Sequence, residues 1–569
     1  MYNFSPHHKA ATLKRQKKLG LLKRGLVKPM LLKPVLLKLV LLKLVLLKPG
    51  LLCLITGITL FSILVGSGCA QHRVEPDEQA AFNIQETSIA QVHQAFKNGR
   101  LNCEVLVKHY ISRIATYDQA TKLNAIVLIN PNAQQRAKEL DEAFRRTQQL
   151  RALHCVPIIL KDNYDTADMP TTGGSIVLKD SLPPDDAYMV RKLREAGAII
   201  LAKANMAEWA FSPYFTISST AGETRNAYDL ERVPAGSSGG TASAVAANFG
   251  LVGMGTDTGN SIRGPAAHTA LVGIRSTIGV TSRDGIIPLL LNRDIAGPMT
   301  RTVEDAARVF NVIAGYDPAD PTTLVSKGRL PNNYSDFLTH DGLQGARIGV
   351  LRALIDTPTI DLDIADLLEQ AIIDIRKLGA QVVDPVVVPN LEQLTSATGF
   401  CSRFRHDINH YFRSLGGNSP VIRLEDIVAS QRYHESSESG MKWAMSVDVE
   451  PEKQKFPCVD VNGDPRRLAL LNAVVGTMDR LGLDALIYPS WNNPPRQLED
   501  LDSPHGNNSP IIAPHSGQPA ITVPMGFTAE GLPAGLQILG KPFSEPDLFK
   551  FAYAYEQATK HRKPPTLFE

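Results

Sequence analysis

The stretch VPAGSSGGTASAVAANFGLVGMGTDTGNSIRGPAA, residues 233–267, decides the fold. It opens on a glycine–serine loop at 236–240 and runs into a helix of small residues, TASAVAANF. An apolar strand, GLVGMGTDT, follows and ends in a second glycine-rich loop that stops at Ser261. Working outward, VPIIL (156–160) is a continuous apolar run, as expected of a strand covered on both faces. Residues 186–211 read as helix, glycine turn and strand; ARIGVLRA (346–353) and a helix over 366–383 form a further pair. DALIYPS (484–490) and AITVPMGF (520–527) read as late strands. Strands alternating with helices imply an α/β fold: a large mixed β-sheet sandwiched by helices on both faces, in one compact catalytic domain. Ser88 is a candidate N-cap for a first helix, and 130–146 reads as another. The charged, aromatic stretch 401–465 breaks the rhythm and reads as helices and loops roofing a site.

The chain has 569 residues and a net charge of +3, but the charge is unevenly placed. Residues 1–68 hold ten Lys, two Arg and no acid; the rest carries 48 Lys and Arg against 57 acids. An acidic body without a basic stripe argues against nucleic-acid binding. In the N-terminal run, lysines recur every five residues from Lys18 to Lys48, a period that matches neither helix nor strand. Residues 1–68 therefore read as a low-complexity basic extension plus a signal or anchor segment. The apolar LLCLITGITLFSILV (51–65) leads into GSGC, ending at Cys69. Such an order resembles a secretory signal with a lipoprotein cleavage site, with Cys69 as the lipid-bearing residue. Membrane anchorage through the N-terminus and an exported, cell-envelope or periplasmic location follow as expectations; a cytoplasmic location is the alternative. Residues 69–87 read as a polar tether and 88–569 as the catalytic domain, with its core at about 150–310 and substrate-site loops at 401–515. Cys103, Cys155, Cys401 and Cys458 show no CxxC pairing, so zinc is not expected. Export would permit two disulfides, but a body of this size does not need them; the four read as buried small apolar side chains.

Three segments carry chemistry. Lys161 ends the apolar run at 156–160, Ser237 opens the first glycine–serine loop, and Ser261 closes the second. A serine hydroxyl is a weak nucleophile until a base takes its proton, and lysine is a base only when neutral. Its ordinary pKa of about 10.4 must fall by a few units, which burial among apolar residues can achieve. Ser237 would relay the proton between Ser261 and Lys161. Backbone N–H groups at Thr258, Gly259 and Asn260 would hold a developing oxyanion, at roughly 3–4 kcal/mol apiece. No metal and no cofactor are expected.

These segments resemble the amidase signature family. The family pattern is KD after an apolar strand, GSSGG before a helix of small residues, and GTDxGGSIR. Here they are Lys161-Asp162, Gly236–Gly240 and Gly255–Arg263. The resemblance spans about Ser88 to Pro565, includes APHSGQPAITVPMG (513–526) and GLPAGLQILG (531–540), and is greatest for bacterial peptide amidases. It implies Ser261 as nucleophile, Ser237 as the serine of a cis peptide and Lys161 as base. Asn260 stands where the family has glycine; asparagine tolerates left-handed φ, and its side chain would narrow or polarise the acyl pocket.

Ser238, Asp257 and Arg263 read as supports around the nucleophile loop, and Gly173, Gly174 and Ser175 as a turn beside Lys161, with a hydrogen bond from Ser175 to the amine as the sharper reading. His154, His268 and His515 stand in no GxSxG context. Trp209, Phe211, Tyr488 and Trp491 are core or pocket aromatics. The expected activity is hydrolysis of a carboxamide, either a peptide C-terminal amide or a small amide. The alternatives are the glutamine-hydrolysing subunit of a tRNA-dependent amidotransferase and a catalytically silent amide- or peptide-binding envelope protein.

Overall fold

The structure is a computed structural model that describes residues 82–397, 401–455, 457–500 and 502–569. The basic extension, the apolar segment and Cys69 lie outside the described residues. The described residues fall in one compact unit. The described strands are β1 (Ile126–Ile129), β2 (Pro157–Lys161), β3 (Ile199–Ala204), β4 (Thr216–Ser218), β5 (Gly222–Thr224), β6 (Val252–Asp257) and β7 (Val272–Arg275). They continue with β8 (Ile295–Thr300), β9 (Arg347–Val350), β10 (Gln381–Val383), β11 (Ala485–Pro489), β12 (Ala520–Phe527) and β13 (Pro533–Leu539).

All but β4 and β5 join one sheet, in the order β1-β3-β2-β6-β8-β7-β12-β13-β11-β9-β10. The sheet is mixed. β2 runs parallel to β3 and β6, and β9 runs parallel to β10 and β11. Antiparallel pairings through β8, β7, β12 and β13 join these two parallel patches. Every residue of β2, β3, β6, β8 and β13 is buried. Successive strand residues point to opposite faces, so burial of all of them means that both faces are covered. The continuous apolar run at 156–160 was a sound strand signal for this reason.

One helix start matches its local signal, and two other segments differ. Ser88 accepts from Gln91 N while Gln91 Oε1 accepts from Ser88 N, a reciprocal cap on the helix Ile89–Lys97. The helix expected at 130–146 begins later, at Ala133, because Asn130 Oδ1 instead accepts from Asn132 N and forms a turn. The segment expected as helix over 366–383 divides in two. A helix spans Leu362–Lys377, and Gly379, at φ +91°, ends it and lets Gln381–Val383 turn back beside β9 as β10. The chain is already packed before Ser88: Ile84 and Thr87 are buried, and Glu86 pairs with Arg562 at 2.7 Å.

Within 401–465 the helices Phe404–Ser414, Leu424–Ser430 and Glu438–Met445 form a second apolar cluster. Phe404, Ile408 and Phe412 pack there with Trp209, Ile287 and Leu178. Among the described residues, no helix is long and apolar enough to cross a membrane.

The cysteine expectation is corrected. Cys103, Cys155 and Cys401 are buried as expected, but the four residues pair as Cys103–Cys155 and Cys401–Cys458, with Cα–Cα distances of 5.5 and 5.2 Å. Sequence spacing carries no information on which cysteines the fold brings together. The second bridge closes the excursion that holds the three helices above. Protein denatured without reductant is expected to leave all four cysteines unreactive toward iodoacetamide, as read by peptide mass mapping. Reduction should then lower unfolding free energy by up to about 4 kcal/mol for each loop. Alkylation of any of the four before reduction would contradict the pairing.

Candidate active site

The parallel pairing of β2 with β6 brings their C-terminal ends to one edge of the sheet: Ile158 faces Val252 and Leu160 faces Met254. Lys161, the last residue of β2, and Thr256, near the end of β6, therefore become neighbours. Lys161 is fully buried, and its Nζ lies 2.7 Å from Ser237 Oγ and 2.7 Å from Thr256 Oγ1. Burial pushes its amine down to about 7, against the opposing pull of the Asp294 and Asp257 carboxylates. An amine in this state is neutral for much of the time near pH 7, which an exposed lysine never is.

Ser237 enters from the loop between the β4–β5 hairpin and the helix Gly239–Ala246. The Gly236–Ser237 peptide is cis. Gly236 is required here by close approach: a Cβ would come within 2.6 Å of Ser212 O and nearer still to Phe215 O. The helix that follows needs its glycines for the same reason, since a Cβ on Gly240 would strike the backbone of Asn205. Ala207 N donates to Ser237 O at 3.0 Å, and Ser238 Oγ donates to Thr256 O at 3.3 Å. These bonds tie the serine loop to β3 and β6.

Ser261 follows β6 and precedes the short helix Arg263–His268; it is 6% exposed. Asp257, fully buried at the end of β6, anchors this loop. Its carboxylate accepts from Arg263 Nε at 3.0 Å and from Arg275 Nη1 at 3.0 Å. Burial alone would raise its pKa, but the two guanidiniums outweigh that and hold it below the usual range. Arg263 also donates to Gly259 O at 2.7 Å and to Ser509 O and Gln537 Oε1 at 2.8 Å each. Thr258 Oγ1 donates to Asp294 Oδ1 at 2.5 Å. Among the described residues, the backbone N–H groups of Thr258, Gly259, Asn260 and Ser261 donate to no protein acceptor.

The structure thus brings Lys161, Ser237, Ser238, Asp257, Ser261 and Arg263 to one edge of the sheet. It does not bring Ser175 to the amine. Ser175 lies in the expected turn, where Gly173 N donates to Asp162 O at 2.8 Å, but the sharper reading of it fails: the Lys161 amine donates to Thr256 Oγ1. Thr256, Asn163 and Asp294 were not singled out from sequence. Asn163 Nδ2 donates to Thr256 Oγ1 at 3.1 Å. Thr256 lies within the quoted stretch and Asn163 directly after Lys161-Asp162, and only the pairing of β2 with β6 marks them.

The three histidines do not assemble a serine–histidine pair. His154 packs against Phe96 and Phe144, His268 stacks on Trp491 at 4.6 Å, and His515 lies 3.0 Å from Arg293 Nη1. Of the four aromatics, Trp209 and Tyr488 are core residues, Phe211 packs on Phe404, and Trp491 lies between His268 and Tyr214. The Asn260 side chain is 1% exposed and donates to Pro213 O and Gly236 O.

Known proteins resemble this chain over most of its length. The chain matches the Amidase family over residues 105–549. It is 34% identical over 500 residues to a probable amidase of Arabidopsis thaliana, covering 85% of this chain and 92% of the relative. It is 35% identical over 503 residues to a glutamyl-tRNA(Gln) amidotransferase subunit of Symbiobacterium thermophilum, covering 85% and 99%. Among solved structures, the native peptide amidase of Stenotrophomonas maltophilia superposes with a TM-score of 0.77 at 37% identity, over 84% of this chain and 98% of that one. The chain belongs to the amidase signature family and is a hydrolase of amide C–N bonds.

Proposed function

We propose that the protein is an exported amidohydrolase that cleaves a carboxamide, a peptide C-terminal amide or a small amide, through an acyl-enzyme on Ser261. The observation that carries this reading is the buried Lys161 amine, 2.7 Å from Ser237 Oγ and shifted down to about 7. Neutral Lys161 takes the proton of Ser237 as Ser237 takes that of Ser261. The Ser261 oxygen attacks the amide carbon, and the carbonyl electrons move onto oxygen. The unpaired N–H groups of residues 258–261 supply donors for that oxyanion. As the intermediate collapses, the proton returns along the same path to the leaving nitrogen. Ammonia or an amine departs, and Ser261 is left as an ester. Water then repeats the sequence, releasing the acid and restoring the serine.

Thr256 and Asn163 position the amine in this scheme. A neutral amine has one lone pair and two hydrogens. With one hydrogen donated to Thr256 Oγ1, the lone pair can face the Ser237 hydroxyl. The peptide-amide assignment is supported by the likeness to peptide amidase at 37% identity. Export is supported by the basic and apolar segments before Cys69 and by two disulfides, which persist in oxidising compartments.

A second reading follows from the 35% identity to an amidotransferase component: release of ammonia from glutamine for a tRNA-dependent partner. Glutaminase activity that requires tRNA would establish it. The disulfides and the N-terminal segment support the first reading instead.

Ser261→Ala is expected to abolish turnover across a panel of amidated peptides, aryl amides and aliphatic amides. Wild-type rates in that variant would overturn the assignment of the nucleophile. The pH profile has a definite sign. Protonated Lys161 cannot accept a proton, so kcat/KM should fall as pH drops through about 7 and level off above it. Lys161→Ala should lose that plateau, its residual rate climbing with pH as hydroxide replaces the amine. A flat wild-type profile between pH 5 and 9 would rule the amine out as base. For the location, N-terminal analysis of membrane-extracted protein should begin at a lipid-modified Cys69; an intact Met1 would refute cleavage.

A further inference from the structure

Asn260 immediately precedes Ser261 and is buried, and its side-chain Nδ2 donates to two carbonyl oxygens at 3.2 Å each. Both acceptors belong to the structure that carries Ser237. Gly236 O is the carbonyl of the peptide bond that enters Ser237, and Pro213 O accepts from Gly236 N at 3.0 Å as well as from Asn260. The loop 212–215 in turn lies against Gly236 so closely that a Cβ there would strike it. Asn260 is held from its own side too, since its carbonyl accepts from Gly264 N at 2.7 Å. Room for the amide is made by Gly264, where a Cβ would overlap Asn260 Nδ2.

The chemistry leaves one orientation. Two carbonyl oxygens face the same atom, so that atom must be the NH2 group, which has two hydrogens to give. The reversed amide would set three oxygens together. A glycine at this position, as in the family pattern, has no group that can reach either carbonyl.

We propose that Asn260 is a positioning residue whose side chain rivets the loop of Ser237 to the loop of Ser261, holding the two hydroxyls in the relative placement that proton transfer requires. The inference rests on the Ser261–Ser237–Lys161 relay proposed above. Donor and acceptor must come within hydrogen-bond reach for a hydroxyl to pass a proton, and a displacement of about 1 Å is enough to cost about a hundredfold in rate. The two serines sit on separate loops, and the amide is a direct polar link between them.

The charged and titratable groups around position 260 are already engaged. Asp257 is shared by Arg263 and Arg275, His268 and His505 pack on Trp491, Arg496 lies over the Tyr214 ring, and Lys161 lies beyond Ser237. A carboxyl introduced by Asn260→Asp therefore meets chiefly the two carbonyl oxygens. Protonated, it donates one hydrogen bond; ionised, it repels both acceptors.

The test is the rate at which a fluorophosphonate probe labels Ser261 between pH 5 and 9, with melting midpoints measured in parallel. Asn260→Gly, which restores the family residue, should label between about tenfold and a hundredfold more slowly than wild type. Its melting midpoint should stay within a few degrees and its pH profile should still rise through about 7. On any amide that is turned over, kcat should fall with KM unchanged. Asn260→Asp should instead give a bell-shaped profile, regaining rate on the acid side where its carboxyl is protonated. Should Asn260→Asp fail to fold, Asn260→Ser takes its place and should label as slowly as Asn260→Gly. Wild-type labelling in Asn260→Gly, with Ser261→Ala silent, overturns this role for Asn260 alone. Labelling of Ser261→Ala at the wild-type rate overturns the relay and this inference together.

Discussion

The site depends on one constraint, the parallel pairing of β2 with β6. Parallel strands cannot be joined by a tight turn, so the chain between them must travel out and back. In this protein the intervening stretch supplies β3, the β4–β5 hairpin and the helix Gly239–Ala246. That return path sets Ser237 at the beginning of the helix, and β6 ends in the loop of Ser261. The ends of two parallel strands and the start of the helix between them converge on the same edge. A buried amine and two hydroxyls are thereby collected from positions 161, 237 and 261.

Burial also sets the charge state of the lysine. In water the amine would hold its proton at neutral pH, and no serine could transfer one to it. Surrounded by apolar strand residues it is pushed down to about 7, while Asp294 and Asp257 limit the shift. The same interior raises the cost of every other charge near it. Asp257 is tolerated there because two guanidiniums share its carboxylate, and Arg263 satisfies its remaining hydrogens on Gly259, Ser509 and Gln537. A buried pair of this kind adds little net stability over a well-packed apolar cluster, but removing one partner leaves a charge with no compensation. Its contribution here is geometric. It fixes where β6 stops and how the loop of Ser261 leaves it.

Much of this was legible in residues close together in sequence. Continuous apolar runs announced β2 and β12, Ser88 announced a helix start, and the glycine–serine loops announced close backbone approach. Those signals are local, and local physics enforces them: alternating side-chain faces, orphaned N–H groups at a helix end, the volume of a missing Cβ. The failures were of another kind. Residues 366–383 merged a helix with a strand because a lone Gly379 is a weak stop signal until φ is known. A bond from Ser175 to the Lys161 amine was the sharper reading of the turn at 173–175, whereas Thr256 reaches the amine through a strand pairing. Trp209 and Tyr488, read as core or pocket, are core, a choice that spacing alone could not make.

The sequence by itself determined the class of fold, the three segments that hold the amine and the hydroxyls, and the amide-hydrolysing family. Each is written in short-range pattern, residue type and spacing. Only the tertiary structure decided the sheet order, the two disulfide pairings, the Thr256 bond to Lys161 and the use of the Asn260 side chain. All four are contacts between residues far apart in the chain or across neighbouring strands. Such contacts exist because loops are closed against conformational entropy by burial of the whole sheet, and no local stretch encodes that balance.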